Sequence, residues 1–240
     1  MPRMMTFYSR LDGVSNETFQ RELMDVHVPL VSKLPDLQRY QQNLTTSSTL
    51  SDDTLRGDRL PFEGIAELWF EKPEQFPAAL GTEQGQQALA HAPQFLDAAG
   101  MRSMVVEEHR IALKDEIDPT APNQPLRFMF FITRRPDVTF EEFKRHILKM
   151  HVPIVTTYPG LRRYQLAFNM LPEGQRDAGN LPFDAIAEHY YDSTEAYEAA
   201  FASPEAQKGI EDAKHFMSFD TMRMMVVKEH PIALGTPAEE

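Results

Sequence analysis

RELMDVHVPLVSKLPDLQRYQ, residues 21–41, returns as RHILKMHVPIVTTYPGLRRYQ, residues 145–165. His27-Val28-Pro29 falls on His151-Val152-Pro153, and Arg39-Tyr40-Gln41 on Arg163-Tyr164-Gln165, at an offset of 124. Further along, LPFEGIAELWF (60–70) matches LPFDAIAEHYY (181–191), and MRSMVVEEHRIAL (101–113) matches MRMMVVKEHPIAL (222–234), both at an offset of 121. The three-residue difference between these offsets falls between Gln41 and Leu60, a polar Ser/Thr/Asp-rich interval. That composition reads as loop, where length changes are tolerated. A chain of 240 residues that repeats itself over most of its length is two copies of one unit.

Each copy carries the same element signals. A strand (Thr6 to Arg10; Arg127 to Thr133) precedes a helix whose N-caps are Ser15 and Thr139. Only the second copy has the Thr-x-x-Glu capping box, Thr139 with Glu142. Phe19, Leu23, Val26 and Leu30, repeated as Phe143, Ile147, Met150 and Ile154, form an apolar stripe at helical spacing. A strand bearing Arg-Tyr-Gln, an apolar strand, a second helical region and a Val-rich closing strand follow. The order βαββαβ is that of a ferredoxin-like α+β unit, with both helices on one face of an antiparallel sheet. The bare faces of two such sheets are expected to pack on each other within one chain. Residues 1–113 are read as the first unit, 114–126 as a polar, Asp- and Pro-rich linker, and 127–240 as the second unit.

Bulk composition narrows the function classes. Hydrophobic residues make up 42% and charged residues 25%, as in soluble globular proteins. With no long apolar run and no apolar leader, neither a membrane span nor a signal peptide is expected, and the cytoplasm is the simplest location. A formal net charge of −12 argues against nucleic-acid binding. The absence of cysteine removes thiolate nucleophiles and cysteine-ligated metal sites.

The run F-x-x-R, E-x-F-x-R followed by H-V-P, P-x-L-x-R-Y-Q, P-F-x-x-I-A-E and V-V-x-E-H resembles the EthD domain family, in both copies. The resemblance implies a dimeric α/β barrel, here formed within one chain, whose paired sheets surround a cavity. Relatives of this kind include lactone isomerases, polyketide cyclases and dehydratases, cofactor-free monooxygenases and members without assigned activity.

Within such a barrel the repeated polar residues are the candidates. His27 and His151 each precede a proline by two residues and sit roughly 65° from the apolar stripe of an α-helix. A neutral imidazole beside a broken helical hydrogen bond suits a general base or acid; a satisfied boundary histidine is the plainer reading. Glu67 and Glu188 lie in apolar strands opposite small residues, which turns them into the barrel. There they either pair with Arg39 and Arg163 or hold a raised pKa useful for proton transfer. Tyr40 and Tyr164 are candidate donors to an oxyanion or enolate. Arg10, Arg134, Arg39 and Arg163 are candidates for holding an anionic substrate, with Trp69, Tyr190 and His189 beside them. His146 and His151 stand about 140° apart on an α-helix, too far round to chelate one ion. No metal is expected, and with no Gly-rich phosphate loop, no nucleotide cofactor either.

The function these residues suggest is cofactor-independent proton transfer on a small oxygenated cyclic or aromatic compound in the barrel, by a lyase, dehydratase or isomerase. A monooxygenase-like or haem-associated barrel and a non-catalytic small-molecule carrier are the alternatives. The second half, with His146, His189 and Tyr190 in place of Glu22, Leu68 and Trp69, is expected to hold the better-formed polar cavity. His151 would act there beside Tyr164 and Glu188. Any homodimer would use outer surfaces.

Overall fold

The computed structural model describes residues 1–45, 58–113, 124–175 and 181–234. Residues 114–123 of the expected linker, and 46–57 of the polar loop, lie outside the described residues. The first unit contributes β1 (Pro2–Tyr8), β2 (Arg39–Thr45), the short β3 (Asp58–Arg59), β4 (Gly64–Trp69) and β5 (Arg102–Leu113). The second contributes β6 (Leu126–Ile132), β7 (Arg163–Asn169), β8 (Ala185–Tyr191) and β9 (Arg223–Ile232). Eight strands run in the order β2-β4-β1-β5-β7-β8-β6-β9, and β9 pairs back onto β2. Each four-stranded set has ferredoxin-like order. The seams between units, β5 with β7 and β9 with β2, are antiparallel, so the barrel is closed and only the short β3 extends beyond it. Closure removes the exposed edges that two separate sheets would present.

Strand alternation sorts the side chains into two shells. Odd-numbered residues of β1 and β4 point inward, where Met5, Phe7 and Ile65 meet Met129, Phe131, Ile186, Met225 and Val227. The opposite faces carry the helices: α1 (Asn16–Arg21) and α2 (Val28–Val31), then α3 (Gln75–Leu80) and α4 (Glu83–His91), in the first unit. The second unit has α5 (Phe140–His146), α6 (Val152–Val155), α7 (Thr194–Phe201) and α8 (Pro204–Ala213). Among the described residues no helix is long and apolar enough to cross a membrane.

The first helix of each unit departs from the sequence expectation. Residues Glu22–His27 and Ile147–His151 form a widened π turn, in which Val28 N–H bonds Leu23 C=O and Val152 N–H bonds Ile147 C=O. One extra residue per turn shifts the inward stripe. Val26 and Met150 therefore face solvent, and Val28, Val31 and Val155 take the core positions.

Candidate functional site

The centre of the barrel holds a two-fold network of charges. Arg127, on β6, clasps Glu67 of the other unit with both ends of its guanidinium, at 3.0 and 2.8 Å. It also reaches Glu188 at 2.8 Å. Arg3, its equivalent on β1, bonds Glu188 and lies 3.3 Å from Glu67. Gln165 donates to Glu188 at 3.1 Å. Burial opposes the charge on Glu188, but Arg127 and Arg3 outweigh it and hold the carboxyl at about 2. Glu188 is thus a fixed anion, and a raised pKa for proton transfer does not arise there. The expected partners Arg39 and Arg163 are not used, because they lie one register step nearer the barrel ends. Arg163 instead bonds Glu229 at 2.9 Å and covers Tyr190, 3.8 Å from the ring centre. Arg39 covers Trp69 at 4.2 Å and donates to Gln41 at 2.8 Å.

Two cavities lie on the other side of the sheets, under the helices, one in each unit. In the first unit a cavity of about 230 Å³ is bounded by Thr6, Tyr8, His27, Tyr40, Gln42 and Leu68, among others. Its polar wall is directional: Tyr8 Oη donates to Gln42 Oε1 and Gln42 Nε2 donates to Tyr40 Oη, each at 2.5 Å. The hydroxyl proton of Tyr40 is left without an acceptor among the described residues. Burial raises the Tyr40 phenol well above its ordinary range, with the Gln42 bond a smaller opposing effect, so it is a neutral donor. His27 stacks on His91 with ring centres 5.6 Å apart, and its buried Nδ1 makes no hydrogen bond. Burial first, and His91 second, lower its pKa to about 4.

The equivalent cavity in the second unit is only about 60 Å³. Phe130, Tyr158, His189 and Phe201 replace Thr6, Leu34, Leu68 and Leu80, and fill the space. Tyr158 lies directly over Gly209, where an added Cβ would stand 1.8 Å from its hydroxyl oxygen. The second half was expected to hold the better-formed polar cavity, but the roomier of the two lies in the first. His151 does border this space, with Tyr164 and His189 on the same side of the sheet. Glu188 points the opposite way, into the barrel, and is not their neighbour. Burial, then His151, lowers His189 to about 3.

His146 and His151 are not splayed apart. The π turn carries both onto one carboxylate: His146 Nε2 lies 3.0 Å from Asp212 Oδ1, and His151 Nδ1 lies 2.9 Å from Oδ2. The first unit exchanges these roles. Glu22 stands for His146 and His91 for Asp212, with His91 Nε2 3.4 Å from Glu22. Among the described residues no group of three or more His, Cys, Asp or Glu is arranged to hold a metal ion. Arg10 and Arg134 lie outside both cavities. Arg10 pairs with Glu63 at 3.2 Å, and Arg134 with Asp184 and Glu173, both at 2.7 Å.

This architecture defines a class: two ferredoxin-like units fused into one closed α/β barrel, with a helix-covered cavity in each half. The EthD domain profile matches residues 11–99 and 135–220, and the chain belongs to the EthD family as a tandem two-copy member. An anthrone oxidase-like protein of known structure is similar over 98% of this chain and 93% of its own, with 13% identity and a TM-score of 0.63. A candidate monooxygenase from Fusobacterium nucleatum gives 0.61 at 10% identity, over 98% and 95% of the two chains. One from Lactobacillus acidophilus gives 0.56 at 10% identity, over 98% and 97%. At these identities the likeness is one of fold. No curated protein matches the chain significantly.

Proposed function

We propose that the chain is a cofactor-independent proton-transfer enzyme of the lyase, dehydratase or isomerase kind, acting on a small oxygenated cyclic or aromatic compound. The cavity that serves it is the one beneath the helices of the first unit. The observation that carries this reading is the pairing, on one 230 Å³ cavity, of an uncharged His27 with the spare hydroxyl proton of Tyr40. Engineered apolar cavities of about 150 Å³ accept benzene, so the volume suits a substituted ring. The apolar lining would hold the ring, and Tyr40 would donate to its carbonyl oxygen. His27, neutral at pH 7, would take the proton from the adjacent carbon, and the Tyr40 hydrogen bond would stabilise the enolate that forms.

The test is deuterium exchange from D₂O into a panel of small cyclic ketones. Wild-type protein should accelerate exchange, and His27→Ala should reduce it by roughly 10²–10⁴, the usual worth of a general base, with ligand affinity retained. Tyr40→Phe should lower exchange while the protein stays folded. Ligands that bind without exchange, or exchange indifferent to His27→Ala, would turn the reading towards a non-catalytic carrier.

A further inference from the structure

We propose that the barrel end bounded by Arg39 and Trp69 binds a small planar carboxylate. This site is separate from the helix-covered cavity, since Arg39 and Trp69 belong to the inner face of the sheet. A cavity of about 350 Å³ opens there, lined by Met1, Gln38, Arg39, Trp69, Glu108 and Arg110.

The two pseudo-equivalent ends of the barrel differ in how their charges are paired. At the end formed by the second unit the charges close on themselves. Arg163 bonds Glu229 at 2.9 Å, and Tyr190 Oη donates to the other Glu229 oxygen at 2.7 Å. At the Arg39 end the same positions carry different chemistry. Trp69 replaces Tyr190, and its indole offers one donor and no acceptor. Glu108, the counterpart of Glu229, is occupied elsewhere. Its Oε2 accepts from Trp69 Nε1 at 3.1 Å and lies 3.6 Å from Arg3, and its Oε1 accepts from Arg110 Nε at 2.9 Å. Arg110 stands where the second unit has Pro231, which adds a cation that the other end lacks.

Arg39 is consequently left with a single hydrogen bond, to Gln41, and no carboxylate partner among the described residues. Its guanidinium carbon lies 4.2 Å from the centre of the Trp69 ring, and its one hydrogen bond, to Gln41, leaves most of its five donors unused. A planar fork held in place matches a carboxylate in the bidentate manner, which a lysine could not do. In a chain of net charge −12, an unneutralised arginine beside a second arginine marks a local preference for an anion.

Trp69 is the chain's one tryptophan, so its fluorescence reports on this site alone. Benzoate is titrated at low salt against its uncharged analogue benzamide and against inorganic phosphate. A saturable change in Trp69 emission is expected with benzoate. Benzamide and phosphate should bind at least about tenfold more weakly, and added salt should weaken benzoate binding. Arg39→Gln should lose about tenfold or more in benzoate affinity, Arg39→Lys should fall between, and Arg163→Gln should leave the titration unchanged. Circular dichroism checks that each variant is folded. No saturable response to benzoate, equal binding of benzamide or phosphate, or an Arg39→Gln variant with wild-type affinity would overturn the proposal.

Discussion

Arg127 of the second unit holds Glu67 of the first by two hydrogen bonds, and neither side chain is exposed to solvent. The bond crosses the pseudo-twofold axis, and Arg3 with Glu188 repeats it in the opposite sense. Two arginines share two glutamates, so each buried charge has more than one partner of opposite sign. The units are thereby tied by charge as well as by apolar packing.

Removing one member should be costly. In Arg127→Met, Glu67 loses its bidentate partner in a site from which water is excluded, and Arg3 alone must neutralise both glutamates. Breaking a buried pair in this way costs about 3–5 kcal/mol. Equilibrium urea unfolding should show a loss of that order for Arg127→Met. Replacing Arg127 and Glu67 together by methionine and leucine should recover part of it, because no net charge is then stranded. A single mutant within about 1 kcal/mol of wild type would show that the network is not under this strain.

Acid should destabilise the protein in two overlapping steps. An unfolded histidine titrates near 6.5, whereas folded His189 is held at about 3 and His27 at about 4. Between those values the unfolded chain binds the protons, so stability falls as pH drops below about 6.5. Glu188, at about 2 in the folded state, adds stability that is complete above roughly pH 4.3 and disappears as pH falls towards 2. His189→Leu places the first unit's residue at this position and removes a buried Nδ1 that has no partner. It should flatten the decline between pH 6.5 and 3 by up to about 1.4 kcal/mol per pH unit. Glu188→Gln should lower stability at neutral pH, because Arg3 and Arg127 lose a partner, and should remove the part of the decline below about pH 4.3. An unchanged pH slope in His189→Leu would contradict the assignment of a neutral, buried imidazole.

The fold was legible because duplication wrote each element twice, and coincident patterns at offsets 124 and 121 are hard to produce without a shared structure. The inward turn of Glu67 and Glu188 was legible for the same reason, from small residues on the opposite strand face. Their partners were available but overlooked. Arg3 and Arg127 interrupt apolar strands at the same offset of 124, yet reading the first strand from Thr6 passes over Arg3. The meeting of His146 and His151 was hidden by the assumption of 3.6 residues per turn. A π turn brings positions five apart onto one side, and only the misplaced apolar residues Val26 and Met150 hint at it. The exchange of Glu22 and His91 for His146 and Asp212 is visible in the alignment only once those positions are known to touch. Cavity size depends on summed side-chain volume across four elements, and polarity of single residues in the second unit was a poor guide to it.

Exchanging the residues that fill one cavity and leave the other open should exchange the cavities. Thr6 stands where the second unit has Phe130, whose ring stacks on Phe201 at 5.5 Å in the filled half. Thr6→Phe should place a ring into the 230 Å³ cavity with little displacement of its walls. Space is already present, so the change should cost less than about 1 kcal/mol and can be stabilising, in contrast to overpacking a full core at about 1–3 kcal/mol. Binding of a small apolar probe such as benzene, followed by NMR shifts of cavity-lining methyl groups, should fall at least about tenfold. The reverse change, Phe130→Thr, should open the second cavity and cost about 3 kcal/mol or more, as large-to-small core substitutions do. It should also create a second probe site of similar affinity. If Thr6→Phe binds the probe as wild type does, the ligand cavity lies elsewhere in the molecule. The role given to His27 and Tyr40 would then fail with it, whereas the carboxylate site at Arg39 would be untouched.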